Sequence, residues 1–258
     1  MPDVMDRHER SSAQAVVTGR AEGLAPDPLI RRLTHSGPLS EAERAALREL
    51  ALNPRSLAAR RDIAAPPAPE TVHLVLGGIA CRYKILLDGT RRIVSYLLPG
   101  DLCDVHVGVS GAADWSLGTL TPCAVADMPR ERLAGLARIH PGIERALRWV
   151  TLTELSGARE WLANDSRPAD RRIAHLFCEL LVRLQAVDLA GDSSVDLRIS
   201  QVDLADTAGI SFVHVNRVLQ SLRASGLIVS GKHMLTIPDV ARLQAFAEFD
   251  PGYLHLAQ

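Results

Sequence analysis

The 258-residue sequence predicts an α+β chain: an N-terminal antiparallel β-roll with flanking helices, one long helix, and a C-terminal winged helix-turn-helix. Three observations carry this. Between Val72 and Met128, short β-branched runs are separated by turn residues at the spacing of antiparallel rolls and barrels. From about Gly142 to Asn164 a single helical pattern runs on. Between Ser200 and Ile237, two short capped helices meet at a glycine and lead into a hairpin.

The elements follow in order. Residues 1–28 are polar, lack periodicity and are expected to form a mobile tail. Helical spacing begins at Leu29, Ile30 and Leu33, and Ser40 with Glu43 forms a capping box opening a second helix. Ala65-Pro66-Pro67-Ala68-Pro69 stops helical structure and leads into strands, with turns at Gly77-Gly78, Asp88-Gly89 and Pro99-Gly100-Asp101. Asp88-Gly89 between two strand-like runs predicts a tight hairpin with positive φ at both residues. Thr121-Pro122 breaks the last strand run, and a short helix, Arg130 to Ile139, ends at His140-Pro141-Gly142.

Along the long helix, Ile143, Leu147, Val150, Thr153 or Glu154, Gly157 and Trp161 fall near a 3.5-residue repeat. Such a stripe suits a seam between two subunits; a helix buried within one monomer is the alternative. Asn164 to Pro168 reads as a hinge, followed by a helix from Ala169 to about Val187 and a loop over residues 188–196. The expected division is therefore 1–28 tail, 29–141 roll with flanking helices, 142–165 dimerisation helix, and 166–258 winged helix-turn-helix.

Composition narrows the function. A 47% hydrophobic fraction excludes a mainly disordered chain, and aromatics at 4% leave the core to aliphatic side chains. With 29 basic against 30 acidic residues, nucleic-acid binding through bulk charge is excluded, so any such site is local. No apolar run approaches bilayer length, and the charged N-terminus lacks the apolar core of a secretory signal. Cys81, Cys103, Cys123 and Cys178 form no CxxC pair, which suits a reducing cytoplasm.

Residues 200–237 carry the most chemistry. Ser200 and Asp203 form a capping box, Gly209 suits a left-handed helix end, and Ser211 caps a second helix from Phe212 to Ala224. On that helix Val215, Val218, Leu219 and Leu222 share the inward face, and Val213, Asn216, Arg217, Gln220 and Ala224 the outward one, flanked by His214 and Ser221. Asn, Gln and Arg on one exposed face are the side chains that can hydrogen-bond base edges in a major groove, although a polar helix face is commonly only solvated. The amides behind Ser211 suit a phosphate, as do Lys232 and His233 at the wing tip. Against this, Val195 to Gln258 holds five arginines and lysines and six carboxylates, so Asp203 and Asp206 must be kept from the phosphates.

The chain from residue 29 onward resembles the Crp/Fnr family of bacterial transcription regulators. The resemblance rests on Ser95 to Asp101 (SYLLPGD), Thr121 to Pro129 (TPCAVADMP), Asp170 to Phe177 (DRRIAHLF) and, above all, Ser200 to Ile228. It implies a cyclic-nucleotide-binding-like roll, built as a double-stranded β-helix, and a homodimer on a two-fold symmetric stretch of double-stranded DNA, with RNA polymerase among its partners. By position it implies base contacts from Phe212, Val213 and Arg217 and phosphate contacts from Ser211 and His214, within an expected DNA-binding set that also takes in Ser200 and Gln201.

The sequence departs from the family pattern in two places. Val213 stands where the family has a glutamate, so the usual half-site sequence is not carried over. After the Pro-Gly-Asp turn stand Leu102, Cys103, Asp104, Val105 and His106, with Ala113-Asp114 in place of the family's Arg-Ser. The ribose-binding glutamate and the phosphate-binding arginine are therefore both replaced, and no cyclic nucleotide is expected. Nor is an iron–sulfur cluster, because the first cysteine is Cys81. Cys103, Asp104, His106 and Cys123 remain as an effector or redox site, or as ordinary core and loop residues. His73 reads as a satisfied histidine.

Two further readings compete. An enzyme with Cys103 as nucleophile and His106 as base lacks a recognisable oxyanion hole or orienting acid, so no enzymatic activity is expected. A dimeric ligand- or redox-sensing module acting through protein partners would leave the second short helix idle.

Overall fold

The structure, a computed structural model, describes residues 27–64, 70–105, 115–231 and 233–257. Most of the expected N-terminal tail lies outside these residues. Its last two residues are helical in role: Asp27 caps α1 (Pro28–Thr34) by accepting from the Leu29 amide at 3.0 Å. In α2 (Glu41–Leu50) the Ser40–Glu43 capping box is complete. The buried Glu43 carboxylate also accepts from the Gly142 amide at 2.7 Å, tying α2 to the start of the long helix.

The roll is two four-stranded antiparallel sheets. One orders β1 (Arg55–Leu57), β8 (Cys123–Pro129), β3 (Thr71–Gly77) and β6 (Leu102–Cys103). The other orders β2 (Asp62–Ala64), β7 (Ser116–Thr119), β4 (Ala80–Ile85) and β5 (Arg91–Leu97). Val75, Ala80, Leu97, Leu117 and Val125 from both sheets form the core between them. Leu29, Leu33 and Leu47 cover the other side of β3 and β8.

The β4–β5 hairpin differs from expectation. Asp88 is not among the residues with positive φ; only Gly89 is, at +83°. The Gly89 amide bonds the Leu86 carbonyl and the Leu86 amide bonds the Thr90 carbonyl, giving a three-residue loop with a glycine bulge in place of a two-residue turn.

A short helix α3 (Arg130–Ile139) precedes α4 (Pro141–Asn164), with extended His140 breaking the two and Pro141 opening the second. After the hinge comes α5 (Ala169–Gln185), whose Ile173, Leu176, Phe177, Leu180, Leu181 and Leu184 are all buried. The loop expected over residues 188–196 contains a strand, β9 (Ser194–Asp196), paired antiparallel with residues Met234–Thr236. Three residues with one inward side chain, Val195, are too short to show alternation in a sequence.

The C-terminal unit continues with α6 (Gln201–Ala208), α7 (Phe212–Ala224), the hairpin β10 (Val229–Ser230) and β11 (Met234–Thr236), then α8 (Val240–Ala247) and a 3₁₀ turn, Pro251–Leu254. One apolar cluster runs through this unit and into the roll, taking in Ile79, Cys81, Ile93 and Tyr96. The described part of the chain is packed continuously across the hinge.

Candidate nucleic-acid interface

The α6–α7 corner is built as the sequence dictates. Ser200 accepts from the Asp203 amide, and the Asp203 carboxylate accepts from the Ser200 amide. Gly209 ends α6 at φ +61°, a conformation that favours glycine, and a Cβ there would strike the Arg92 guanidinium. Ser211 accepts from the His214 amide at 3.2 Å and starts α7.

Val215, Val218, Leu219 and Leu222 are buried against α5 and α6, so the outward face is fixed. On that face Phe212, Val213, His214, Arg217, Gln220 and Ser221 are exposed, as is Ser211 before them. Asn216 is half-buried, and its amide lies 3.4 Å from the Gln201 side-chain oxygen, a link between the two helices that fixes both side chains. Ser200 and Gln201 are partly exposed at the start of α6. In the wing, His233 is exposed and the Gly231 amide closes the tip on the Met234 carbonyl; Lys232 lies outside the described residues.

The carboxylates that threatened this surface are held by the roll. Arg91 of β5 donates through Nη2 to Asp203 at 2.6 Å and through Nε to Asp206 at 2.7 Å. These ion pairs raise the guanidinium pKa, against a burial effect that lowers it. Arg92 pairs with Asp165 at 2.8 Å, and the Tyr96 and Thr207 hydroxyls share a hydrogen bond of 2.8 Å. Sequence reasoning missed Arg91 because its partners are more than a hundred residues away; adjacent arginines in a strand run were the only signal.

The face of α4 expected at a subunit seam requires correction. Ile143 is fully buried within its own chain and cannot meet a partner. Leu147 and Val150 are half-buried against the cluster around α1 and α2. Gly157 lines a cavity, and Trp161 does so while donating to Glu179 at 2.8 Å. The face left open instead carries Arg148, Leu152, Leu155, Arg159 and Leu162, also at alternating steps of four and three. A helix between a roll and a partner has two apolar faces, and periodicity alone does not say which is which.

That cavity, of about 510 Å³, lies between β5, α4 and α5. Its guanidinium groups are already engaged. Arg32 pairs with Asp101 at 3.2 Å, and Arg183 with Asp101 at 2.6 Å and Glu179 at 2.9 Å. Arg82 pairs with Asp104 and Glu154 and lies over the Trp115 ring. Each of the three arginines in this lining pairs with a carboxylate, which disfavours a cyclic phosphate there, while Arg32 Nη1 and Arg82 Nε are buried without a hydrogen-bond partner.

Cys103 and Cys123 are buried in the roll core rather than displayed. Burial pushes the Cys103 thiol well up and the Cys123 thiol up to about 11, so neither is a thiolate near neutrality. Asp104, at φ +65°, accepts from Trp115 and Arg82. His106 lies outside the described residues. His73 donates through Nδ1 to the Asp127 carboxylate at 2.8 Å, but its Nε2 is buried without a partner, so it is only half satisfied. Among the described residues no group of three metal-ligating side chains converges. No described helix is long and apolar enough to cross a membrane.

Residues 171–246 match the Crp-like helix-turn-helix domain. The chain is 32% identical over 177 residues to the nitrogen fixation regulation protein FixK of Bradyrhizobium diazoefficiens, covering 67% of this chain and 72% of the relative. It is 31% identical over 180 residues to the transcriptional activator protein FnrL of Cereibacter sphaeroides, covering 67% and 71%. Among solved structures, FixK2 from Bradyrhizobium japonicum superposes with a TM-score of 0.65 at 26% identity, covering 75% of this chain and 96% of that one. A CooA mutant from Carboxydothermus hydrogenoformans shares the fold, with a TM-score of 0.60 at 16% identity over 87% and 98% of the two chains.

Proposed function

The chain belongs to the Crp/Fnr family of DNA-binding transcription regulators, and on that premise we propose that it acts as a homodimer whose two α7 helices enter successive major grooves of a two-fold symmetric operator. The observation that carries the reading is the division of α7. Four apolar side chains are buried, and Phe212, Val213, Arg217 and Gln220 are presented outward behind the Ser211 cap. Arg217, Gln220 and Asn216 make base contacts, Val213 meets a thymine methyl, and Ser200, Gln201, Ser211, His214, Ser221 and the wing residues Lys232 and His233 hold phosphates.

Residues 29–141 serve as the sensor, 142–165 as the dimer helix and 166–258 as the DNA-binding unit. The two copies meet along Leu152, Leu155 and Leu162 of α4, flanked by Arg148 and Arg159. What supports this face is its exposure in the single chain, which is 59% for Leu152 and 76% for Leu162, together with its coiled-coil spacing. The Cereibacter relative is named a transcriptional activator; the same role in this chain takes RNA polymerase as a further partner and the cytoplasm as the place of action. The engaged arginines of the cavity favour a dimer competent for DNA without a cyclic nucleotide.

Arg217→Ala tests the reading. With the fold intact by circular dichroism, specific operator affinity falls by about 1–3 kcal/mol and discrimination relaxes at one base position per half-site. Unchanged affinity and discrimination would favour the module that acts through protein partners.

A further inference from the structure

Inside the roll, His73 of β3 stands between two neighbouring strands. In the sheet register it lies opposite Asp127 of β8 on one side and opposite Cys103 of β6 on the other. Residues opposite one another in an antiparallel pair share a face, with Cβ atoms about 5 Å apart. Here it is the interior face, because Cys103 and Val75, two residues beyond His73, both belong to the core between the sheets. His73 is 5% exposed and Cys103 is fully buried.

The orientation of the ring follows from its hydrogen bond. Nδ1 donates to Asp127, so the Nδ1 edge faces β8 and the opposite edge, which carries Nε2, faces β6 and Cys103. With the ring proton on Nδ1, Nε2 presents a lone pair, and this buried acceptor has no partner. Arg55 grips Asp127 at 2.7 and 3.2 Å and so fixes the arrangement. An imidazole whose other N–H is held by a carboxylate is the usual support of a metal-ligating nitrogen. A water on Nε2 would need further polar partners. Apart from the engaged Asp127, the side chains sharing this face are Val75, Val125 and the Cys103 thiol.

From this geometry we infer that His73 Nε2 and Cys103 Sγ form a two-coordinate site for a soft monovalent cation, copper(I). Imidazole and thiolate are donors that suit copper(I). Bonds of about 2.0 Å to nitrogen and about 2.3 Å to sulfur place the two atoms roughly 4 Å apart about a linear centre, which a cross-strand pair spans and a direct hydrogen bond does not. Binding forms one copper–nitrogen and one copper–sulfur bond and releases the Cys103 thiol proton to solvent; no electron is transferred. Thiolate and monovalent cation together are neutral, so the filled site adds no net charge to the core. A divalent cation would leave one charge uncompensated and would lack two of its four ligands. Arg82, the nearby charge that favours the ionised thiol, is itself paired with Asp104 and Glu154. The site stands independently of the regulator reading.

The test uses the full chain, reduced and metal-free, titrated without oxygen against copper(I) held by a coloured bidentate chelator. The wild type withdraws one equivalent of copper per chain. X-ray absorption at the copper edge then shows one nitrogen and one sulfur neighbour, a readout that needs no variant. Cys103→Ser and His73→Gln, each with its fold intact by circular dichroism, bind copper roughly a hundredfold or more weakly. Cys123→Ser, altered at another buried thiol of the same core, binds as the wild type does.

Copper left with the chelator by the wild type overturns the proposal. So does a centre with two sulfur neighbours, or one that folded Cys103→Ser or His73→Gln retains at wild-type affinity. Loss of the copper in folded Cys123→Ser would overturn it as well, by moving the metal to another thiol.

Discussion

Replacing Leu152, Leu155 and Leu162 together with alanine separates the open face of α4 from its inward one. In the single chain these leucines are 59%, 47% and 76% exposed. Covering that much of a leucine against a partner stabilises by about 1 kcal/mol each, after allowing for the methyl that alanine keeps. Two-fold symmetry counts every substitution on both helices. The triple variant therefore loses about 6 kcal/mol of association energy, about four powers of ten in the dimer Kd. Sedimentation velocity over a micromolar concentration series reads this as a dimer becoming a monomer, with the circular dichroism spectrum retained because none of the three is a buried core side chain of its own chain. Ile143→Ala behaves differently, costing about 2–5 kcal/mol of chain stability through a cavity in the core. A triple variant that sediments as a dimer throughout the series would refute the assignment of this face.

Other outcomes follow from the same geometry. Glu43 accepts first from the Ser40 amide and hydroxyl and then from Gly142, which holds its carboxyl below the usual range. A depressed folded pKa contributes stability that is complete above the unfolded value, about 4.3, and is lost as pH falls through the folded one. Glu43→Gln therefore destabilises at neutral pH by about 1–2 kcal/mol and flattens the acid limb of the thermal melting profile below pH about 4.3; an unaltered acid limb would show that the group does not carry it. Burial pushes the Cys81 and Cys178 thiols up to about 12, Cys123 to about 11 and Cys103 well up. The native protein should leave all four thiols unreactive to a thiol-specific disulfide reagent at neutral pH and release them together on unfolding. Prompt labelling of Cys103 would restore it as a redox candidate.

The legible parts of this protein are those set by neighbouring residues. Ser200 with Asp203, Gly209 and Ser211 each act within three or four positions, so the α6–α7 corner was readable residue by residue. The inward face of α7 was readable for the same reason, since four apolar side chains at helical spacing leave one way to pack. Strands β1, β2 and β9 were not, because three residues cannot display a period of two. The phase of α4 was ambiguous because both of its faces are apolar. The pairing of Arg91 with Asp203 and Asp206 depends on the roll and the helix-turn-helix packing together, so the sequence required those carboxylates to be held back without showing what holds them. His106 and Lys232, two residues singled out for chemistry, lie outside the described part of the chain.

The most direct measurement is selection of duplexes from a random pool by the wild-type protein and by Arg217→Ala, read by sequencing. The wild type is expected to enrich a two-fold symmetric site whose half-sites lie about one helical turn, roughly 34 Å, apart. The variant is expected to keep that spacing while losing preference at one symmetry-related position in each half. Enrichment of a single asymmetric site, or an identical preference for both proteins, would contradict a dimer that reads DNA through α7.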